Sequence, residues 1–205
     1  MLLRTSPFSP FVRMALIAID VLGLTGRVGA QPATVMPPDP DLARQNPLGK
    51  IPVLVLDDGR ALYDSRVIID YLDHVAGGGR IIPAGAARYE ALRVQALAIG
   101  MIEAAVLQVY EARYRPEERR HQPWVDAQAA KVAAGLAAFE EAPPPHPGAS
   151  CHGRPDVGQI ALACALGYLD LRFAGAWRQS HPKLTGWLDA FAKAVPAFEA
   201  TRPPA

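Results

Sequence analysis

The chain has 205 residues, half of them apolar and a fifth charged. That is ordinary for a globular protein; it excludes a disordered polypeptide and leaves material for a real core. Lys and Arg total 21 against 20 Asp and Glu, and no basic run exceeds two residues, so nucleic acid is excluded as the main ligand.

At roughly 150 residues per domain the length allows one or two domains. The 20 prolines are unevenly spread and leave uninterrupted windows at 11–31, 53–82, 84–115, 124–142 and 156–181. Those windows are helix-sized or longer, with breakers between them, and predict a mostly helical, sharply punctuated fold.

Leu2, Leu3 and Arg4 form a short strand candidate. A helix then starts sharply, with Ser9 as N-cap and Pro10 at the first helical position. Its apolar stripe is Val12, Leu16, Ile19 and Leu22, and Gly23 and Gly26 end it. Residues 28–35 read as a weak strand and 37–49 as turn-rich and irregular. Residues 51–56 form a buried strand, 57–60 a hairpin turn, and 61–63 the returning strand. Asp64 and Ser65 open a helix whose apolar face is Val67, Ile68, Tyr71, Leu72 and Val75. Three glycines at 77–79 stop this unit, and 80–85 reads as a linker.

Everything beyond looks helical. Helices are predicted over 88–114 and 123–141, then, after a proline-rich break at 143–147, over 156–174 and 182–194. The helix near 156 carries a capping signature, Asp156 with Gln159. The apolar run behind it marks the buried centre of the second half, where Cys164 packs as a small hydrophobe. There are no internal repeats.

The two cysteines, Cys151 and Cys164, and the five scattered histidines show no zinc spacing, so no metal site is expected. A reducing compartment is the default for such cysteine usage. A signal peptide is possible on paper, since Arg4 and Arg13 precede or flank the apolar residues 14–19 and Val28-Gly29-Ala30 resembles a cleavage site. Asp20 interrupts that run and Arg27 adjoins the cleavage point, so a cytoplasmic location is expected. No run reaches the roughly 18 apolar residues of a membrane span, and no membrane association is expected.

The order β-α-β, then β-β-α, then a Gly-rich linker and a helical half resembles the cytosolic glutathione transferases. Ser9-Pro10-Phe11-Val12-Arg13 resembles the Ser-Pro-aromatic-Val-Arg segment of many bacterial members. Asn46-Pro47-Leu48-Gly49-Lys50-Ile51-Pro52-Val53-Leu54 resembles the family's Asn-Pro-x-Gly-Lys-Val-Pro segment, whose proline is cis. Tyr63-Asp64-Ser65 resembles its Glu/Asp-Ser motif, and Ala163 to Asp170 its second-domain core helix. The resemblance spans essentially the whole chain.

It implies an α/β thioredoxin-like N-terminal domain over 1–76, a linker over 77–85 and an all-α domain over 86–205 that forms the electrophile site. It also implies a homodimer. Two departures stand out: the capping box is Asp156-x-x-Gln159 instead of Ser/Thr-x-x-Asp, and Thr5 stands where many relatives carry an aromatic residue. A tyrosine-type catalytic site is therefore not available at position 5.

The implied activity is glutathione transfer, with glutathione as co-substrate, a small apolar electrophile as second substrate and no metal. A thiol with a pKa of about 8.5 is only a few per cent ionised at neutral pH. A hydroxyl donating to sulfur favours the thiolate, and a shift of about two units is worth roughly 2.7 kcal/mol. Ser9 is the expected catalytic residue, aided by the helix N-terminus behind it; Ser6 and Thr5 are alternatives, and Ser9 could be a helix start alone. A cysteine there would favour thiol exchange; serine argues against it.

Ile51, turned outward by Pro52, is expected to pair its backbone with the cysteinyl part of the tripeptide like an added strand. Asp64 and Ser65 are expected at the γ-glutamyl carboxylate, Lys50 as a cation near the tripeptide, and Phe11 in the substrate site unless it packs in the core. Arg13 is either a further contact or a structural partner. Phe8, Val106 and Tyr110 are candidates for the electrophile pocket. The competing reading is a non-catalytic interaction protein of the same fold, of the stringent-starvation type, or a ligand-sequestering protein.

Overall fold

A computed structural model describes residues 1–147 and 151–204, except the side chain of His152. Strand β1 (Leu2–Thr5) leads to helix α1 (Pro10–Val21), strand β2 (Gly29–Pro32), helix α2 (Pro40–Gln45), strands β3 (Val53–Val55) and β4 (Ala61–Leu62), and helix α3 (Ser65–Val75). The sheet order is β2-β1-β3-β4, with β1 parallel to β2 and antiparallel to β3, and β3 antiparallel to β4. The helical half contains α4 (Ala86–Tyr114), α5 (Gln122–Glu141), α6 (Val157–Arg172), α7 (Pro182–Ala194) and α8 (Pro196–Ala200).

Two apolar clusters organise the chain. Leu3, Ala15, Ile19, Leu54, Ile68 and Leu72 bury the sheet beneath α1 and α3. Met14, Ile17, Ala18 and Ile69 belong instead to the larger cluster built by α4 to α8. Helices α1 and α3 are thus buried on two sides, and the single stripes expected for them are incomplete. Val67, placed on the core face by spacing, is 48% exposed, whereas the unassigned Ile69 is fully buried.

The stretch expected to be irregular contains α2. Asp39 caps it, accepting from the N–H of Leu42 at 2.8 Å, and Pro40 occupies its first turn. Asp39 also takes both oxygens to the buried Arg4 guanidinium, at 2.9 and 3.0 Å. Strands β2 to β4 are shorter than expected: β2 ends at its edge-strand proline, and β3 begins after Pro52, which has no N–H to pair. Short α8 lies beyond the last helix read from sequence.

The central helix α6 is buried over Val157–Leu169. Its capping box is complete, with Gln159 N–H to Asp156 and Asp156 N–H to the Gln159 side chain, both 2.9 Å. Gly158 lets α4 approach: a Cβ there would stand 2.6 Å from the Ala91 carbonyl oxygen. The linker is pinned by Asp73, whose carboxylate accepts from the N–H groups of Gly79, Arg80 and Ile81 at 2.8–2.9 Å. One expectation needs correction. Although no unbroken apolar run is long enough, α4 is long and apolar enough to cross a membrane by length and composition. Alanines between its larger apolar residues raise that hydropathy, and its buried face packs within the main cluster.

Candidate active site

The strand register gathers three loops at one end of the sheet. Arg4 pairs with Val53 and Leu54 with Leu62. The end of β1, the start of β3 and the end of β4 therefore lie side by side, and they lead to Ser9, Ile51-Pro52 and Asp64-Ser65.

Ser9 caps α1 with extended backbone, its Oγ accepting from the N–H of Val12 at 3.3 Å. That bond uses an oxygen lone pair and leaves the hydroxyl proton free to donate outward. Among the described residues no acceptor takes it. Ser9 lines a cleft with Phe8, Pro10, Cys164, Gly167 and Tyr168. Burial pushes the Cys164 thiol up to about 12, so Cys164 is a neutral wall of that cleft.

The Ile51–Pro52 bond is cis, as the resemblance implies. Among the described residues the Ile51 backbone makes no hydrogen bond, which leaves an N–H and a C=O for an extended peptide. Buried Asn46 braces the preceding loop, donating to the Lys50 carbonyl at 2.9 Å and accepting from the N–H of Leu48 at 3.0 Å. Gly49 completes it with φ +61°, and a Cβ there would sit 2.5 Å from Pro38 Cγ, so only glycine fits. Lys50 is exposed beside it.

Asp64 caps α3 by accepting from the N–H of Arg66 at 2.9 Å. Ser65, 3% exposed, stands at the first position of the helix. Its hydroxyl makes no hydrogen bond among the described residues, and its N–H belongs to the first turn, where the helix offers no partner.

Ser9, Ile51, Pro52, Asp64 and Ser65 are thus brought to one end of the sheet. Phe11 is half-buried and packs on the larger cluster, as does Val106. Phe8 and Tyr110 are each 42% exposed. Arg13 is buried, donating to the Phe198 carbonyl at 2.6 Å and to Thr201 Oγ1 at 3.3 Å; it ties the two halves together. Sequence reasoning missed Asn46 as a brace, and it missed Tyr168 in the cleft with Ser9 and Arg172 beside the Phe8 ring. Tyr168 follows Cys164 by one helical turn, and Arg172 follows Tyr168 by another, a spacing that aligns them on one face of α6. Among the described residues no group of His, Cys, Asp or Glu is arranged to hold a metal.

A thioredoxin-like sheet unit joined to an all-helical unit, with an intact polar cradle at the sheet's end, defines the class. Residues 3–80 match the family model "Glutathione S-transferase, N-terminal domain" and residues 122–190 match "Glutathione S-transferase, C-terminal domain". The chain is 31% identical to the uncharacterized GST-like protein YibF of Escherichia coli K12, covering 96% of this chain and 95% of that one. A glutathione transferase family member from Pseudomonas fluorescens Pf-5, solved with bound glutathione, is 41% identical with a TM-score of 0.91, covering 100% of this chain and 99% of that one. A structure from the same organism with bound S-(propanoic acid)-glutathione is 40% identical with a TM-score of 0.86 and full coverage of both chains. The chain belongs to the glutathione S-transferase family.

Proposed function

We propose that the chain is a glutathione S-transferase in which Ser9 stabilises the thiolate of bound glutathione for attack on a small electrophile. The observation that carries this reading is the Ser9 hydroxyl. Its oxygen is engaged by Val12, its proton has no acceptor among the described residues, and it stands at the N-terminus of α1. A donor and a positive helix end both favour an anion at that point. Ile51 would pair its backbone with the cysteinyl unit, and Ser65 would donate its hydroxyl and N–H to the γ-glutamyl carboxylate. The glutathione bound in the Pseudomonas fluorescens relative supports the same ligand here.

The thiolate attacks the electrophilic carbon, the S–C bond forms, and a leaving group departs or a neighbouring π bond takes up the electron pair. Exclusion of water in the cleft strengthens the Ser9 interaction. A purely structural interaction protein would have no need of free donors at all three loops, which counts against that reading. We further propose a homodimer, supported by the exposed apolar side chains Tyr63, Val67, Tyr89 and Leu107. Sedimentation equilibrium tests it: a concentration-independent monomer would refute it.

Calorimetry with glutathione tests the main reading, together with the ultraviolet absorbance of the bound thiolate against pH. Wild type is expected to bind and to show thiolate at neutral pH. No binding at millimolar glutathione would overturn the enzyme reading.

A further inference from the structure

A half-buried cation beside the reactive end of the cleft has no carboxylate paired with it among the described residues. Arg172, in the last turn of α6, holds its guanidinium carbon 5.3 Å from the centroid of the Phe8 ring and 5.9 Å from that of Tyr168. Both rings line the cleft with Ser9. Among the described residues Arg172 makes no ion pair. Its Nε is buried without a hydrogen-bond partner.

Three other sheltered arginines are answered from within, whereas Arg154, also half-buried, makes no ion pair among the described residues. Arg4 meets Asp39, Arg178 meets Asp170, and Arg13 donates to the Phe198 carbonyl. The acidic side chain of α6 and the one in the last turn of α4 are already taken: Asp170 by Arg178 and the Trp177 N–H, Glu111 by Arg115. Beside Glu111, the last turn of α4 carries Tyr110, Arg113 and Tyr114. Tyr110 and Arg113 lie close enough to Tyr168 to act on its phenol, Tyr110 packs edge-on against Tyr114 at 5.1 Å, and Arg113 forms no ion pair among the described residues.

Partial desolvation of a guanidinium is unfavourable unless an anion or acceptors compensate it. Phe8 and Tyr168 lie beside the guanidinium, one donor of which is directed at the Tyr168 hydroxyl; the donors that remain form a fork that matches a carboxylate. We infer that the second substrate is an electrophile bearing a carboxylate, which Arg172 binds while the body of the substrate lies against Phe8, Tyr168 and Tyr110. This rests on the proposed glutathione chemistry at Ser9. It gives one charged end to a substrate otherwise expected to be apolar.

Two aryl chlorides differing only at the far end of the ring provide the test: 4-chloro-3-nitrobenzoate and 4-chloro-3-nitrobenzamide. In each, the thiolate forms an S–C bond at the carbon bearing chlorine, chloride leaves with the bonding pair, and the thiol proton passes to solvent. No oxidant or reductant is consumed. Each kcat/KM at saturating glutathione is divided by the uncatalysed rate constant, because the two rings differ in intrinsic reactivity. The expected benzoate-to-benzamide ratio is at least 10 in wild type. It falls at least tenfold in Arg172→Gln and recovers in Arg172→Lys, with KM moving more than kcat. A charge-assisted hydrogen bond is large enough for such a factor. A wild-type ratio near or below 1, or a ratio equal in wild type and Arg172→Gln, overturns the inference while leaving the transferase reading intact. Turnover of neither compound, together with no calorimetric heat of glutathione binding, overturns both. Thermal unfolding of each variant shows whether a changed ratio comes from a folded protein; a ratio lost in Arg172→Gln and recovered in an equally stable Arg172→Lys supports the inference.

Discussion

Ser9 combines two duties in one side chain, and substitutions can separate them. As the cap of α1 its oxygen satisfies the N–H of Val12; alanine loses that bond at about 1 kcal/mol, whereas glycine at a cap costs only a few tenths. As a donor to sulfur it lowers the thiol pKa, and neither alanine nor glycine can replace it. Ser9→Gly is therefore expected to unfold at nearly the wild-type temperature while the bound thiol titrates back towards about 8.5. The sign follows from charge: removing the donor destabilises only the thiolate, so the rate profile moves to higher pH and neutral-pH turnover falls about 10–100-fold. A profile unchanged in Ser9→Gly would assign sulfur to another group, Ser6 or Thr5 first.

Ser65 offers a cleaner case because Asp64, not Ser65, caps α3. Ser65→Ala is expected to leave thermal stability within about 0.5 kcal/mol and to weaken glutathione about tenfold in calorimetry, the usual scale for one hydrogen bond to a charged group. At this scale the sequence was informative, since serine before a helix has few uses. Arg172 was not legible: its meaning depends on which carboxylates are already taken, and that is a property of packing.

At the scale of elements, punctuation served well and periodicity less so. Prolines and capping residues marked α1, α3 and α6 closely. The six residues of α2 were hidden because Asp39-Pro40-Asp41 carries the same turn-forming residues as a loop. The faces read for α1 and α3 were incomplete for one reason: each helix lies between the sheet and the helical half, so one stripe cannot describe it. Glycines inside helices are also explained only by their neighbours. A Cβ at Gly158 would meet the Ala91 carbonyl oxygen at 2.6 Å and Val94 Cβ at 2.7 Å, whereas one at Gly135 would meet the Met101 side chain at 2.5 Å. Backbone and a β-branched residue cannot step aside, but a thioether can rotate. Gly158→Ala is expected to destabilise by about 3 kcal/mol, lowering Tm by roughly 6–12 °C. Gly135→Ala should cost less than half of that. Equal losses in differential scanning calorimetry would show that α4 and α6 are free to separate.

At the scale of the molecule, the boundary read near residues 77–85 separates two units of secondary structure, but the larger of the two apolar clusters crosses it. Met14, Ile17, Ala18 and Ile69 of the sheet unit share one cluster with Ile102, Leu162 and Phe191 of the helical unit. Arg13 crosses the same boundary. It is 6% exposed, donates to the Phe198 carbonyl at 2.6 Å and lies 3.9 Å over the Phe198 ring. Gly167 admits it, since a Cβ there would fall 2.5 Å from the guanidinium. Burial lowers the Arg13 pKa from its ordinary value, yet an arginine remains protonated after such a shift at neutral pH. Sequence offered Arg13 as a ligand contact or a structural partner, and only its reach to residues far along the chain decides between them.

Arg13→Met keeps much of the stem and removes the charge. It leaves the Phe198 carbonyl without its donor, a loss of about 1–3 kcal/mol. The effects should be local as well as global. Hydrogen exchange at 196–202 is expected to accelerate more than exchange in α6, because α8 loses its polar anchor while the shared apolar cluster persists. Denaturant unfolding should stay a single transition at lower midpoint with unchanged slope, since neither unit can bury Met14, Ile17 and Ile69 without the other. Two resolved transitions in Arg13→Met would instead mean that this one arginine, more than the apolar surface around it, makes the two units fold as one.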